Sequence, residues 1–136
     1  MAVLKPLYGT KTAITITLDG LANGSVATSN AIDNSTNLFQ DFLIELIIAG
    51  TAAVNAFLDI RLLSSEDNTN FGTWESGIPL GTIDLSVTPQ TAYFSLLNAL
   101  FQAPKYFKVA VKNKSGNALA ASGNSASYQG IQVQSV

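Results

Sequence analysis

The side chains of this sequence that could do acid–base chemistry are carboxylates, and Glu66, Asp67 and Glu75 fall within one polar stretch, Ser64 to Gly77, reading SSEDNTNFGTWESG. Glycoside hydrolysis needs two carboxylates about 5 to 10 Å apart, one of them with a raised pKa. Nothing near these three marks an apolar pocket, so they read as solvated charges in a loop. The run Ser65-Glu66-Asp67-Asn68-Thr69-Asn70 also lacks the ligand spacing, central glycine and bidentate glutamate of a calcium-binding EF-hand loop. There is no histidine and no cysteine, which removes the commonest general base, the thiolate nucleophile, thiolate–metal sites and disulfides. Serine and threonine are plentiful, but without histidine or a Ser-x-x-Lys arrangement none is an activated nucleophile. The glycines sit in turns, not in a phosphate-binding loop between a strand and a helix. The expectation is therefore no catalytic residues, no cofactor and no metal site.

Phe71 and Trp74 in the same stretch are the aromatics best placed to do something other than fill a core. Either they present contact area to a sugar or a protein, or they fold back to plug the end of the domain. Lys108, Lys112 and Lys114 form a modest basic stripe that reads as a solvated strand face. Six lysines and one arginine stand against nine acids in 136 residues, for a net charge of −2, so nothing supplies the positive potential that nucleic-acid binding requires. Only 12% of residues are charged while 47% are hydrophobic. So little charge on a folded chain suggests that part of its exterior faces other protein.

The elements that must position these residues are strands. Thr12 to Leu18 alternates, with Ile14, Ile16 and Leu18 on one face, and Asp19-Gly20 turns it. Ser25 to Asp33 is an irregular strand anchored by Val26 and Ile32. Asp33 to Asn37 is a cluster of residues whose side chains can bond their own backbone. Leu38 to Ile48 and Val54 to Leu63 carry the clearest pattern: Leu38, Phe42, Ile44, Leu46 and Ile48, then Val54, Ala56, Leu58, Ile60 and Leu62, each on one face. We expect them to form a hairpin with Ile48 opposite Val54, which would bring Asp41 opposite Arg61. A helix over 38–48 is the alternative, disfavoured by the β-branched content. The outward positions Phe39, Leu43, Ile47, Phe57 and Leu63 are too apolar for open water and call for a cover.

After the long loop, Ile78 to Val87 and Thr91 to Ser95 read as strands, Leu96 to Phe101 as a helical turn or two ended by Pro104, and Lys105 to Asn113 as a strand with Phe107, Val109 and Val111 inward. Ser115-Gly116-Asn117 is a candidate hairpin turn before a last strand, Ser127 to Val136, anchored by Ile131 and Val133. About eight short strands with at most one short helix describe an all-β protein, a single antiparallel β-sandwich of jelly-roll type over residues 12–136. Residues 1–11, with Leu4, Leu7 and Tyr8 around Pro6, are expected as an extended arm outside it. The N-terminus has no signal-peptide h-region and no apolar run approaches the roughly 20 residues of a membrane span, so no membrane is expected as a partner.

Two regions carry a family resemblance. Ile14-Thr15-Ile16-Thr17-Leu18, Leu21-Ala22-Asn23-Gly24 and Ala31 through Phe39, together with Lys108 through Leu119 and Tyr128-Gln129-Gly130-Ile131, resemble a family of small virion structural proteins of tailed bacteriophages. The match departs at Asn68 to Trp74, where the family often has a Gly- and Tyr-rich segment. The resemblance implies a non-enzymatic protein made in the host cytoplasm and carried on the capsid exterior. Such a protein would be a decoration or cement protein that binds the major capsid protein as a homotrimer and stabilises the shell. Exposed apolarity then nominates Leu4, Leu7, Tyr8, Phe39, Leu43, Phe57, Phe71 and Trp74 as interface residues. The alternative is a tail- or fibre-associated protein that binds carbohydrate or a host surface, with Trp74, Phe71 and Tyr93 as stacking platforms.

Overall fold

The computed structural model describes residues 3–50, 55–100 and 103–135. Ten strands run in chain order: β1 Leu4–Tyr8, β2 Thr12–Ala13, β3 Val26–Thr28, β4 Ile32–Asp33, β5 Asp41–Ile48, β6 Phe57–Ser65, β7 Ile78–Asp84, β8 Gln90–Ser95, β9 Tyr106–Lys114 and β10 Ser125–Ser135. A 3-10 turn spans Leu96–Asn98. All pairings are antiparallel. In the first sheet β1 and β2 lie along β10, followed by β5 and β8; in the second β3 and β4 lie along β9, followed by β6 and β7. The pairs nest: β6 with β7, β5 with β8, β3 and β4 with β9, β1 and β2 with β10. A long hairpin folded on itself in this way is a jelly roll, with two of its eight strands interrupted to give ten segments.

Alternation explains the core. Phe42, Ile44, Leu46 and Ile48 from β5 face Leu58, Ile60 and Leu62 from β6, all buried, with Phe107, Val109 and Val111 from β9 beside them. The expected inward rows are therefore present from Phe42 to Ile48 and from Ala56 to Leu62. Their expected hairpin is not. β5 is hydrogen-bonded to β8 and β10, while β6 is bonded to β7 and β9 in the other sheet. Two strands with matching buried rows can be neighbours within a sheet or partners across the core, and period-two alternation is the same in both. Asp41 and Arg61 consequently do not pair. Asp41 accepts hydrogen bonds from the Ser95 hydroxyl at 2.6 Å and the Leu97 amide at 3.1 Å. Val54 lies outside the described residues, and with it the expected contact to Ile48.

Other boundaries move for local reasons. Leu38 takes a left-handed φ of 54°, which reverses the alternation before β5: Leu38 is 65% exposed, and Phe39 turns inward to meet Phe42 edge-on at 5.6 Å between ring centroids. Buried Asn34 fixes this bend, since its Oδ1 accepts from the Phe39 amide at 2.7 Å and its Nδ2 donates to the Phe39 carbonyl at 2.9 Å. Thr12 to Leu18 keeps its alternation but leaves the ladder after Ala13. There the Ile14 amide bonds the Ala126 carbonyl of the first sheet, and the Thr15 carbonyl accepts from Asn30 beside the second sheet. The segment crosses between sheets, so it is a strand of neither. In β3 Ala27 faces inward and Val26 is exposed, one position off the expected anchor. Ser115 to Asn117 does not close a hairpin, because β9 and β10 belong to different sheets. Val133, expected as an anchor, is exposed, and β7 ends at Asp84, short of Val87.

Candidate functional site

The outward face of the second sheet is closed by the chain's own loop. Outward positions of β6 are Phe57, Asp59, Arg61 and Leu63; those of β9 are Lys108, Ala110, Lys112 and Lys114, paired Leu63 to Lys108, Arg61 to Ala110, Asp59 to Lys112 and Phe57 to Lys114. Leu63 and Ala110 are buried although they point away from the core. The cover is the segment after β6: Trp74 lies 4.4 Å from the Arg61 guanidinium carbon, measured to its ring centroid, and its carbonyl accepts from Arg61 Nη1 at 2.7 Å. Phe71 carries the Lys108 ammonium at 4.3 Å and Phe57 that of Lys114 at 5.6 Å. Gly77 runs so close to Leu63 and Arg61 that an added Cβ would lie 3.0 and 3.2 Å from their side chains. Phe71 and Trp74 thus fold back over a sheet face, not over the end of the sandwich. The basic stripe is largely spent on these aromatic rings and on Asp59, whose Oδ2 lies 3.7 Å from Arg61 and 3.8 Å from Lys114.

Of the three loop carboxylates, Asp67 is the one held in place by hydrogen bonds. Asp67 accepts from the Asn70 amide at 2.8 Å and the Thr69 amide at 2.9 Å, from Asn70 Nδ2 at 2.7 Å and from the Ser65 hydroxyl at 3.0 Å. These bonds, the two backbone amides foremost, hold its carboxyl far below the ordinary carboxylate range. A general acid needs the opposite shift. Asp67 instead organises its own turn, lining an open hollow with Ser64, Glu66, Pro104 and Lys105. Among the described residues no three carboxylates group closely enough to hold a metal ion.

The outward face of the first sheet is more open: Tyr93 is exposed and Leu43, Ile47, Ser127 and Gln129 are half-buried. Residues 4–8, expected as an arm outside the sandwich, are extended but hydrogen-bonded to β10, with Leu4 opposite Ser135, Pro6 opposite Val133 and Tyr8 opposite Ile131. β10 pairs with β5 only up to Ile131. Beyond that residue the two terminal strands continue as a ribbon of two. Directly opposed residues share a face, so Leu4, Pro6, Tyr8, Ile131 and Val133 form one apolar face while Lys5, Leu7, Gln132 and Gln134 form the other. Leu4 is 70% and Tyr8 60% exposed. By the same alternation the apolar face continues the outward face of the sheet, where Ser127, Gln129 and Ile131 stand opposite Glu45, Leu43 and Asp41.

Further along that face Glu45 sits at the centre of a polar cluster. Lys11 Nζ is 2.9 Å from its Oε1 and the Ser127 hydroxyl 3.4 Å, and Tyr93 stands directly opposite it on β8. Lys11, then Tyr93, holds the Glu45 carboxyl below its ordinary value, and Glu45 in return raises the Lys11 ammonium and the Tyr93 phenol. A hollow of about 190 Å³ opens beside the cluster, lined by Leu43, Tyr128 and Gln129 as well.

The eight residues nominated for an interface are therefore dispersed. Leu4 and Tyr8 share the ribbon's apolar face, Leu7 lies on its other side, and Leu43 lines the hollow. Phe39 is inside, against Phe42, and is corrected from an outward position. Phe57 stands on the second sheet and Phe71 and Trp74 lie over that sheet, all three half-buried and each against a cation. Tyr93 belongs to the first sheet, so Trp74, Phe71 and Tyr93 do not share a platform. Ile131, Val133 and Glu45 were missed as surface residues.

No family model matches this sequence, and no curated protein matches it. Among solved structures it is similar to the disulfide-linked pili of Bacillus endospore appendages, at 11% identity over 100% of this chain and 89% of that one with a TM-score of 0.42. It is also similar to the Yersinia pseudotuberculosis-derived mitogen, at 11% identity over 98% and 88% with a TM-score of 0.36. A third is the CBM22-1 xylan-binding domain of Paenibacillus barcinonensis Xyn10C, at 9% identity over 96% and 93% with a TM-score of 0.37. Likeness at this level leaves the function to be read from the chain's own residues.

Proposed function

We propose that this chain is a non-enzymatic structural subunit of a tailed-bacteriophage virion, a decoration protein that docks on the major capsid protein lattice from outside and reinforces the shell. The observation that carries the proposal is the terminal ribbon with its bare apolar face of Leu4, Pro6, Tyr8, Ile131 and Val133. A two-stranded ribbon is marginal in water by itself, and apolar surface left at the margin of a sheet is stabilised by being covered. Pro6 has no amide to offer a further strand, so the ribbon is suited to docking through its side-chain face more than to edge-to-edge polymerisation. The sequence resemblance supplies the partner. The depressed pKa of Asp67 and the absence of histidine and cysteine favour a building block over a catalyst.

Reinforcement follows from repetition. Each copy that binds the assembled shell but not its separated subunits shifts the equilibrium toward the shell, and many modest contacts on one lattice act together. A homotrimer is proposed because local three-fold positions offer each subunit an equivalent site. The test is co-sedimentation of the purified chain with capsids lacking it, alongside its mass by light scattering. We expect saturable binding at a fixed ratio to the shell protein from a free trimer, and loss of most binding in the Tyr8→Glu, Val133→Glu double variant. Failure of the unaltered protein to pellet with capsids would remove it from the shell and place its role at the neck, tail or elsewhere.

A further inference from the structure

We infer that the hollow beside Glu45 on the outward face of the first sheet is a binding site for a neutral saccharide. The inference does not depend on where the protein sits on a particle. Its first support is the aromatic surface. Tyr93 is 58% exposed on β8, where it stands directly opposite Glu45 and lines the hollow. The ring is thus held at the mouth of the hollow while much of it remains open, which suits stacking against the C–H face of a sugar ring. Trp74 and Phe71, already occupied by Arg61 and Lys108, offer no comparable free face.

The second support is the polar set. Glu45 and Lys11 neutralise one another at 2.9 Å, so the site carries no net charge to attract an ionic ligand, yet it presents a carboxylate acceptor and an ammonium donor side by side. Ser127 adds a hydroxyl. Gln129 donates through Nε2 to the Gly9 carbonyl at 2.9 Å, and its Oε1 has no partner among the described residues. Adjacent hydroxyls of a pyranose present alternating donors and acceptors, and a row of carboxylate, ammonium, hydroxyl and amide matches them. The third support is scale and rigidity. The cavity of about 190 Å³ is smaller than the ~300–1,000 Å³ of pockets for drug-sized ligands, which fits one ring and not a long chain. Leu43, Glu45, Tyr93, Ser127 and Gln129 all stand on paired strands, in register across β8, β5 and β10, so the groups are positioned before a ligand arrives.

The experiment is a titration of the full-length ¹⁵N-labelled protein with the methyl β-glycosides of glucose, galactose, mannose and N-acetylglucosamine, each to tens of millimolar, followed by amide chemical shifts. At least one sugar should give saturable shifts confined to residues 43–45, 91–95 and 127–129. Tyr93→Ala should weaken that binding about tenfold or more, Tyr93→Phe less, and Trp74→Phe not at all. The spectra themselves report whether each variant is folded. No saturable shift with any of the four sugars, or shifts that persist unchanged in folded Tyr93→Ala, would overturn the inference. Capsid co-sedimentation of Tyr93→Ala should be normal, which separates the fate of this site from that of the proposed docking ribbon.

Discussion

At the scale of single residues, the close contact of Phe39 with two glycines is the most sensitive point in the structure. A Cβ at Gly130 would run into the Phe39 ring, and one at Gly9 would lie 2.7 Å from the same ring. The ring in turn packs edge-on against Phe42, and Asn34 fixes the backbone that carries it. Gly130→Ala should therefore destabilise the protein by about 1–3 kcal/mol through overpacking, read as a lower urea midpoint at unchanged slope, whereas Gly116→Ala meets nothing within 4 Å and tests only its φ of 86°. Charges at this scale set the pH range of stability. Glu45, Asp33, Asp67 and Asp84 all have carboxyls held below their ordinary values by hydrogen bonds. Their contribution is complete above the unfolded value near about 4 and is lost as pH falls through the lower folded values. Lys11 and Tyr93 are raised, so theirs is complete below about 10 and is lost as pH rises through the higher folded values. The thermal midpoint should be flat between about pH 5 and about pH 9 and fall on both sides, and Asp67→Asn should flatten part of the acid limb while leaving the alkaline limb unchanged.

At the scale of elements, the segment between β6 and β7 behaves as a lid on the second sheet, and Trp74 is its anchor. Removing the indole deprives Arg61 of both its stacking surface and the alignment of its bond to the Trp74 carbonyl. We expect Trp74→Ala to cost about 2–4 kcal/mol, the usual range for truncating a large aromatic less its remaining exposure, and to leave capsid binding intact at temperatures where the variant is folded. Loss of binding with full stability would move the docking surface to the second sheet. The cover itself was foreseeable, because the alternating positions Phe57 and Leu63 are too apolar for water. What covered them was not, since a loop of polar composition with two aromatics reads equally as cover or as contact until its path is known. The same holds for the terminal segment. Leu4, Leu7 and Tyr8 are visibly apolar, but only pairing with β10 divides them between the two faces of the ribbon.

At the scale of the whole molecule, the sheets meet where Phe42 and Phe107 touch edge-to-face at 5.0 Å, and Phe42 also meets Tyr128 of its own sheet at 5.7 Å. Phe107 is fully buried and joins β9 of one sheet to β5 of the other. Phe107→Ala should cost about 3–5 kcal/mol and lower the denaturation midpoint seen by probes on both sheets together; separate transitions for the two sheets would show that the sandwich is not one cooperative unit. The nesting of first strand with last means that β10 bridges β1, β2 and β5, so the fold closes only when its most distant segments meet. The sequence by itself determined the all-β class, most strand positions, the inward rows of β5, β6 and β9, and the poverty of catalytic groups, because side-chain alternation and residue type are local properties of the chain. Tertiary structure alone decided that β5 and β6 face each other across the core, that Arg61 meets Trp74 and not Asp41, and that Lys11, Glu45 and Tyr93 share one hollow. Strand partners are chosen by backbone hydrogen bonds, which every residue but proline offers alike, so the identity of a neighbour is written in the packing of the whole and not in the pattern of either strand.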